Sequence, residues 1–374
     1  MRNNNESTTL KIALSFLSGT NASLIRTLEE ARLSLHDFFE LPSSELSNVL
    51  PYNGRCRFDK VEREEAVFKA RKEMEFVNRH NIKVHYLGDD DYPYLLAETP
   101  DAPVVFYQLG NTELNREHII SIVGTRKNSA YAISFCEGFV KDLAEYFPDA
   151  TVVSGLAYGV DALAHKGALT HSLPTVGVLA HGLDTIYPAA HRDLARRIIK
   201  AGGSIISEYP SGTTPFQKRF LERNRIVAGL SEMTLVVESP IKGGAMSTAN
   251  LAFSYSREVG AVPGRASDPM SEGCNLLIRK NKASLITSVA DVIELTGWQP
   301  AGVAVSPKQR NLFPELEGEA KEIYNLLKFT ADPISIDSIY QKTRIHISTL
   351  TGLLTELEFD GIVIRHPGNR FSLA

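Results

Sequence analysis

Arg219, Arg223 and Arg225 crowd around Asn224 in the stretch from Arg219 to Ser231, which then turns apolar at Ile226-Val227-Ala228. The dipeptide Gly243-Gly244 follows one strand later. Guanidinium forks beside a glycine-rich turn suit phosphates arranged in a row, whereas a single small anion needs fewer. The first chemistry to consider is therefore polyanion binding, with nucleic acid the leading ligand. Lys242-Gly243-Gly244-Ala-Met-Ser247-Thr248 places two glycines and two hydroxyls at the expected start of a helix, an anion cradle. It lacks the Gly-Lys-Ser/Thr run of a nucleotide-hydrolysing loop.

Other loops carry weaker signals of the same kind. Gly124-Thr125-Arg126 permits a sharp turn and a cation beside a helix N-terminus. It is not Gly-x-Gly-x-x-Gly, so no dinucleotide cofactor is expected. Ser154-Gly155 and Gly159 shape a turn whose N–H groups open toward a ligand. Asp161 and His165 stand four apart on one helical face, with no Ser, Cys or third ligand at helical spacing. They read as a pair bracing the loop rather than a catalytic dyad. Gly182 suits close backbone approach, and Tyr158, Tyr187 and Phe216 are candidates for stacking on bases. On the Arg-rich helix, 219, 223 and 226 share a face, so Arg219 and Arg223 point together while Arg225 diverges; one arginine is expected to bind phosphate while another secures Glu222 or a strand-end carboxylate.

These loops need a scaffold that gathers them. From about 116 onward, short apolar strands alternate with helices, with strands at 118–123, 151–153, 175–180, 204–206, 234–237 and 260–262. Helices are expected at 129–146, 159–170, 191–200, 220–230 and 247–258. That alternation predicts an α/β, Rossmann-like, doubly wound and mainly parallel sheet over 110–297, with its ligand at the carboxyl ends of the strands. Residues 1–80 read as short helices of a SAM or helix-hairpin-helix-like module, and 81–109 as a turn-rich connection. Residues 298–315 carry three prolines and no periodicity and read as a linker. Residues 316–374 read as a winged helix, with a hairpin turning at Pro367-Gly368-Asn369. Its third helix offers Thr349, Thr351, Thr355, Glu356 and Glu358 and no base-reading arginine, which favours a protein-interaction role.

Bulk properties narrow the class. The chain has 374 residues, 43% hydrophobic and 22% charged, as in an ordinary multi-domain protein. Net charge is −4, which argues against a globally basic DNA binder but not against a local groove. Between 189 and 225, Arg192, Arg196, Arg197, Lys200, Lys218, Arg219, Arg223 and Arg225 outnumber Asp193, Glu208 and Glu222. Apolar runs such as Leu173 to Ala180 are too short to cross a bilayer, so no membrane is expected. The first residues lack a signal-peptide core, and Cys56, Cys136 and Cys274 are scattered, so a reducing cytoplasm, no metal cluster and no disulfide frame are expected.

In order, the chain reads Gly124-x-Arg126, Ser154-Gly-x-Ala-x-Gly-Val-Asp-x-x-Ala-His165, Gly182-x-Asp184-x-x-Tyr-Pro188, Ser207-Glu208-Tyr-Pro210, Arg223-Asn-Arg-Ile-Val-Ala-Gly-Leu-Ser231, Val237-Glu238 and Val262-Pro-Gly264. This series closely resembles the DNA-processing protein A (DprA/Smf) family across 110–297, and the flanking modules look like that family's usual additions. The resemblance implies a non-enzymatic protein that binds single-stranded DNA with little sequence preference. It also implies protection of incoming DNA in natural transformation, loading of a RecA-type recombinase, and a symmetric homodimer. By motif, Gly124 and Arg126 would hold phosphate, with Ser154, Gly155, Gly182, Arg223 and Asn224 around them. Arg219, Lys242, Gly243, Gly244 and Ser247 complete the candidate set.

The chain departs from the family pattern in places. The usual Ser-Gly-Ser-Leu reads Gly243-Gly244-Ala245-Met246, and the usual Pro before the Arg-Asn-Arg run is Leu221 or Glu222. After Tyr187-Pro188, an often lysine-bearing segment reads Ala189-Ala190-His191-Arg192, which makes Arg192 the candidate cation there. The alternative is a nucleotide phosphoribohydrolase of the lysine-decarboxylase-like group, which carries Pro-Gly-Gly-x-Gly-Thr and a nearby glutamate. Here Ala245 and Met246 replace that pattern, and no acid lies between Gly243 and Arg257.

Overall fold

The structure, a computed structural model, describes residues 2–52, 55–56, 58–300, 316, 318–328, 330, 333–359, 362–366 and 369–373. It divides into two compact units, Met1–Val303 and Ala304–Ala374.

A nine-stranded sheet runs through the first unit in the order Ser284–Leu285, Glu258–Ala261, Met233–Val236, Ile119–Val123, Thr151–Ser154, Thr175–Val178, Ser204–Ser207, Val105–Gly110, Lys83–Tyr86. The strands from Ser284–Leu285 to Ser204–Ser207 pair in parallel, and the last two join antiparallel. The central strands are short, rich in Val and Ile, and buried along their whole length, because helices cover both faces. Side chains alternate between two cores. Ile119 and Val123 join Val153, Val176 and Ile226 on one face, while Ile120 and Ile122 join Val152, Leu143 and Leu235 on the other.

Two of the differences from the sequence expectation bear on the sheet. The segment 81–109 is not merely a connection, since Lys83–Tyr86 and Val105–Gly110 form the antiparallel edge of the sheet. Their alternation is masked because both sides of the second strand are covered, with Phe106 and Tyr107 each almost wholly buried. The helix expected over 247–258 spans Gly244–Ser254, and Glu258–Ala261 is already a strand. Ser256, with φ of 56°, turns the chain between them.

Helices Arg2–Leu14, Ala22–Glu30, Leu35–Glu40 and Lys60–Arg79 bury Ile12, Leu28, Phe38 and Phe39 in a third core that reaches Val105 and Tyr107. Arg63 lies fully buried in it. Its guanidinium donates to Phe38 O and, at 2.9 Å, to Leu41 O at the carboxyl end of the third helix, where exposed carbonyls favour a cation. The charged helix starts at the capping box of Asp59 and Glu62.

In the second unit, helices Gly318–Lys328, Ile336–Thr343 and Ile347–Phe359 bury Ile323, Ile339, Leu350 and Leu354 against the sheet Ile334–Ser335, Arg370–Leu373, Val363–His366. This is a winged helix. The expected linker beyond residue 300 and the turn residues Pro367 and Gly368 lie outside the described residues.

Candidate nucleic-acid interface

The chain winds outward from Ile119–Val123 through the strands at 151, 175 and 204, then returns to place Met233–Val236 on the other side of the first strand. The direction of winding reverses between those two neighbours, and the loops beyond their carboxyl ends part to leave a crevice. A cleft of about 990 Å³ opens there. Gly124, Thr125 and Arg126 line it, together with Ser239, Pro240, Lys242, Gly243, Gly244, Ala245 and Ser247.

Close backbone packing holds the walls in place. Thr125 N–H donates to Glu238 O at 2.6 Å, and Val160 N–H to Thr125 O at 3.1 Å. Gly159 has φ of +79°, and a Cβ there would stand 2.1 Å from Thr125 O, so only glycine allows this approach. Glu238 is buried and accepts from Ser129 N–H at 3.0 Å, which anchors the next helix, Ala130–Tyr146. A Cβ at Gly243 would meet Ser239 Oγ at 2.2 Å, whereas Gly244 faces open space. Gly244 begins an eleven-residue helix, so its first N–H groups lie at the cleft beside the exposed Lys242.

The helix Gln217–Gly229 forms the remaining side. Phe220, Arg223, Asn224 and Val227 line the cleft, at spacings of three and four that put them on one face. Arg223 is 4% exposed and already occupied. It donates to Gly155 O at 2.7 Å, to Val178 O, and to Asn224 Oδ1 at 3.3 Å. Asn224 in turn donates to Gly244 O at 3.4 Å and so ties the helix to the glycine loop. Asp161 sits on the floor and accepts from Ala157 N–H at 3.3 Å. Burial raises its pKa, against the opposing pull of the Arg223 guanidinium and backbone N–H groups. These groups brace the cleft from beneath. Arg126 and Lys242 are exposed and, among the described residues, form no ion pair. The Arg126 guanidinium lies 5.6 Å from the Phe220 ring centre.

Several candidates lie elsewhere. Ser154 is fully buried and donates to Ile122 O at 2.7 Å, which removes it from any ligand. Gly182 is enclosed by Asp184, Pro210 and Ser211. Arg219 does not accompany Arg223. It donates to Thr214 O and stands 5.5 Å from the Tyr209 ring. Arg192 lines a separate groove. Asp161 and His165 do not pair with each other: His165 Nδ1 meets the Thr175 hydroxyl at 2.7 Å, and that hydroxyl donates to Val152 O. Arg225 does reach a strand-end carboxylate, that of Glu208. Of the stacking candidates, Tyr187 and Phe216 line the cleft, while Tyr158 packs on the His191 ring, 5.0 Å between centres. Phe220 went unrecognised in the sequence, although its three-residue spacing from Arg223 marks the same helix face. Among the described residues no His, Cys, Asp or Glu cluster fits a metal ion, and no helix is long and apolar enough to cross a membrane.

Comparison with known proteins agrees with this architecture. Residues 83–297 match the family described as DNA recombination-mediator protein A, and residues 307–369 match the DprA winged helix domain. The chain is 32% identical over 296 residues to Protein Smf of Escherichia coli, covering 79% of this chain and 78% of that one. It superposes on the X-ray structure of DNA processing protein A from Streptococcus pneumoniae with a TM-score of 0.64 and 29% identity, covering 79% of this chain and 99% of that one. DNA processing protein A from Helicobacter pylori, solved for its single-stranded DNA binding mode, aligns with a TM-score of 0.51 and 30% identity over 57% of this chain and 94% of its own. With its switch-point cleft, its winged helix and these relatives, the chain belongs to the DNA recombination-mediator protein A (DprA/Smf) family.

Proposed function

We propose that the cleft grips the sugar–phosphate chain of single-stranded DNA and makes or breaks no covalent bond. The observation that carries this reading is a pair of exposed cations, Arg126 and Lys242, that form no ion pair among the described residues and line one opening together with the rings of Tyr187, Phe216 and Phe220. Cations give a salt-dependent hold on phosphates, and rings accept any base. The single-strand binding mode studied in the Helicobacter pylori relative supports the same ligand here. A duplex hides the faces of its bases, so rings beside cations favour the single strand.

On this reading the protein coats incoming DNA during natural transformation, passes it to a RecA-type recombinase, and works as a homodimer. The carboxylate lining the cleft, Asp161, is buried, hydrogen-bonded to Ala157 N–H and drawn toward Arg223, a poor position from which to attack a ribose. The test is a gel-shift series with oligo-dT and its duplex at two salt concentrations, alongside incubation with nucleoside monophosphates. Preference for the single strand is expected. Equal affinity for duplex, or release of free base, overturns the proposal.

A further inference from the structure

We propose that the groove between the Arg192–Lys200 helix and the Leu183–Ile186 loop is a docking site for an acidic peptide segment bearing aliphatic side chains. This open groove has a volume of about 570 Å³ and shares no lining residue with the DNA-binding cleft. Its floor is aliphatic: Leu109, Leu183, Ile186, Ala195, Ile199 and Ile205. Its rim is cationic. Arg192, Arg196 and Lys200 stand at successive four-residue steps on one helix face, a row of about 12 Å, and all three are exposed.

Little nearby cancels that charge. Asp193 approaches Arg196 only to 3.9 Å, with both side chains more than three-quarters in solvent, so the pair is weak. Asp184 also lines the groove, but its carboxylate accepts from Gly212 N–H at 2.9 Å. An apolar trough under a row of exposed cations complements carboxylates that flank apolar side chains. Nucleic acid fits it less well. No aromatic ring lines the groove among the described residues, and a single strand held without rings loses its stacking energy. The proposal stands apart from the DNA-binding reading, because neither Arg196 nor Lys200 lines the cleft.

Fluorescence anisotropy on the full-length protein tests it. The probe is a short fluorescein-labelled peptide alternating Asp or Glu with Leu or Ile. One control replaces the aliphatics by Ser, and a second replaces the acids by Lys. Saturable binding of the probe is expected, with both controls at least about tenfold weaker. The Arg196→Glu/Lys200→Glu double variant should lose at least about tenfold in probe affinity, while oligo-dT affinity stays within about twofold. Arg196→Gln/Lys200→Gln and, separately, Ile199→Ser should weaken the probe by smaller factors, which guards against a folding defect from charge reversal. Absence of saturable probe binding by the unaltered protein overturns the proposal, as does undiminished binding by the double variant. Loss of oligo-dT affinity in that variant with probe affinity intact would instead assign the groove to nucleic acid.

Discussion

Replacing Arg126 by Ala separates a ligand-binding cation from a structural one. Arg126 is exposed, forms no ion pair among the described residues, and touches the protein chiefly through the Phe220 ring. Its removal leaves no buried partner stranded, so folding stability should change by no more than about 1 kcal/mol. One charge-assisted contact to phosphate contributes about 1.5–3 kcal/mol, and the exposed setting places this one at the low end, about a tenfold loss of affinity at low salt. The salt dependence should change as well. With one phosphate fewer neutralised, the slope of log affinity against log salt should fall by about 0.7 for a single strand. Anisotropy titrations of oligo-dT at several salt concentrations measure both quantities, and a thermal melt checks the fold. An Arg126→Ala protein with unchanged affinity and unchanged slope would refute the role assigned to the cleft.

Arg223→Ala should behave oppositely. It strands Gly155 O and Val178 O and leaves buried Asp161 without its nearby cation, so a loss of about 3 kcal/mol and a clearly lower melting temperature are expected; an unshifted melt would count against the bracing role. Gly159→Ala forces a side chain into a left-handed backbone against Thr125 O, and should cost about 1–3 kcal/mol in a denaturant titration and weaken oligo-dT binding together. His165 is held neutral by burial, with the neighbouring His191 and Arg223 adding to the effect, and its pKa falls to about 3. A folded pKa below the unfolded value of about 6.5 means that His165 adds stability above that pH and loses it as pH falls toward 3. His165→Gln should therefore flatten the decline of melting temperature between neutral and mildly acid pH, and an unchanged slope would exclude this source.

The sequence by itself determined the alternation of apolar strands and helices, and with it the parallel sheet and the end of that sheet where a ligand belongs. Those features are local. Strand burial writes itself as β-branched runs, and a glycine that must turn or admit backbone is visible as a glycine, as at Gly124, Gly159 and Gly243. The strands Lys83–Tyr86 and Val105–Gly110 were harder to see, because within the sheet the first is fixed only by pairing with the second, and the second by Ser204–Ser207, far along the chain.

Only the tertiary structure decided what each arginine does. Arg126, Arg192, Arg219, Arg223 and Arg225 are chemically identical in the sequence. In the fold they become, in turn, a free cation at the cleft, the rim of another groove, a partner of Tyr209, a buried clamp on two carbonyls, and the counterion of Glu208. A guanidinium binds whichever acceptor is nearest, and the distances that select the acceptor are set by strands and helices far apart in sequence. Side-chain type therefore announces that anions can be held, and the packing of the strand-end loops decides which cations remain available to hold them.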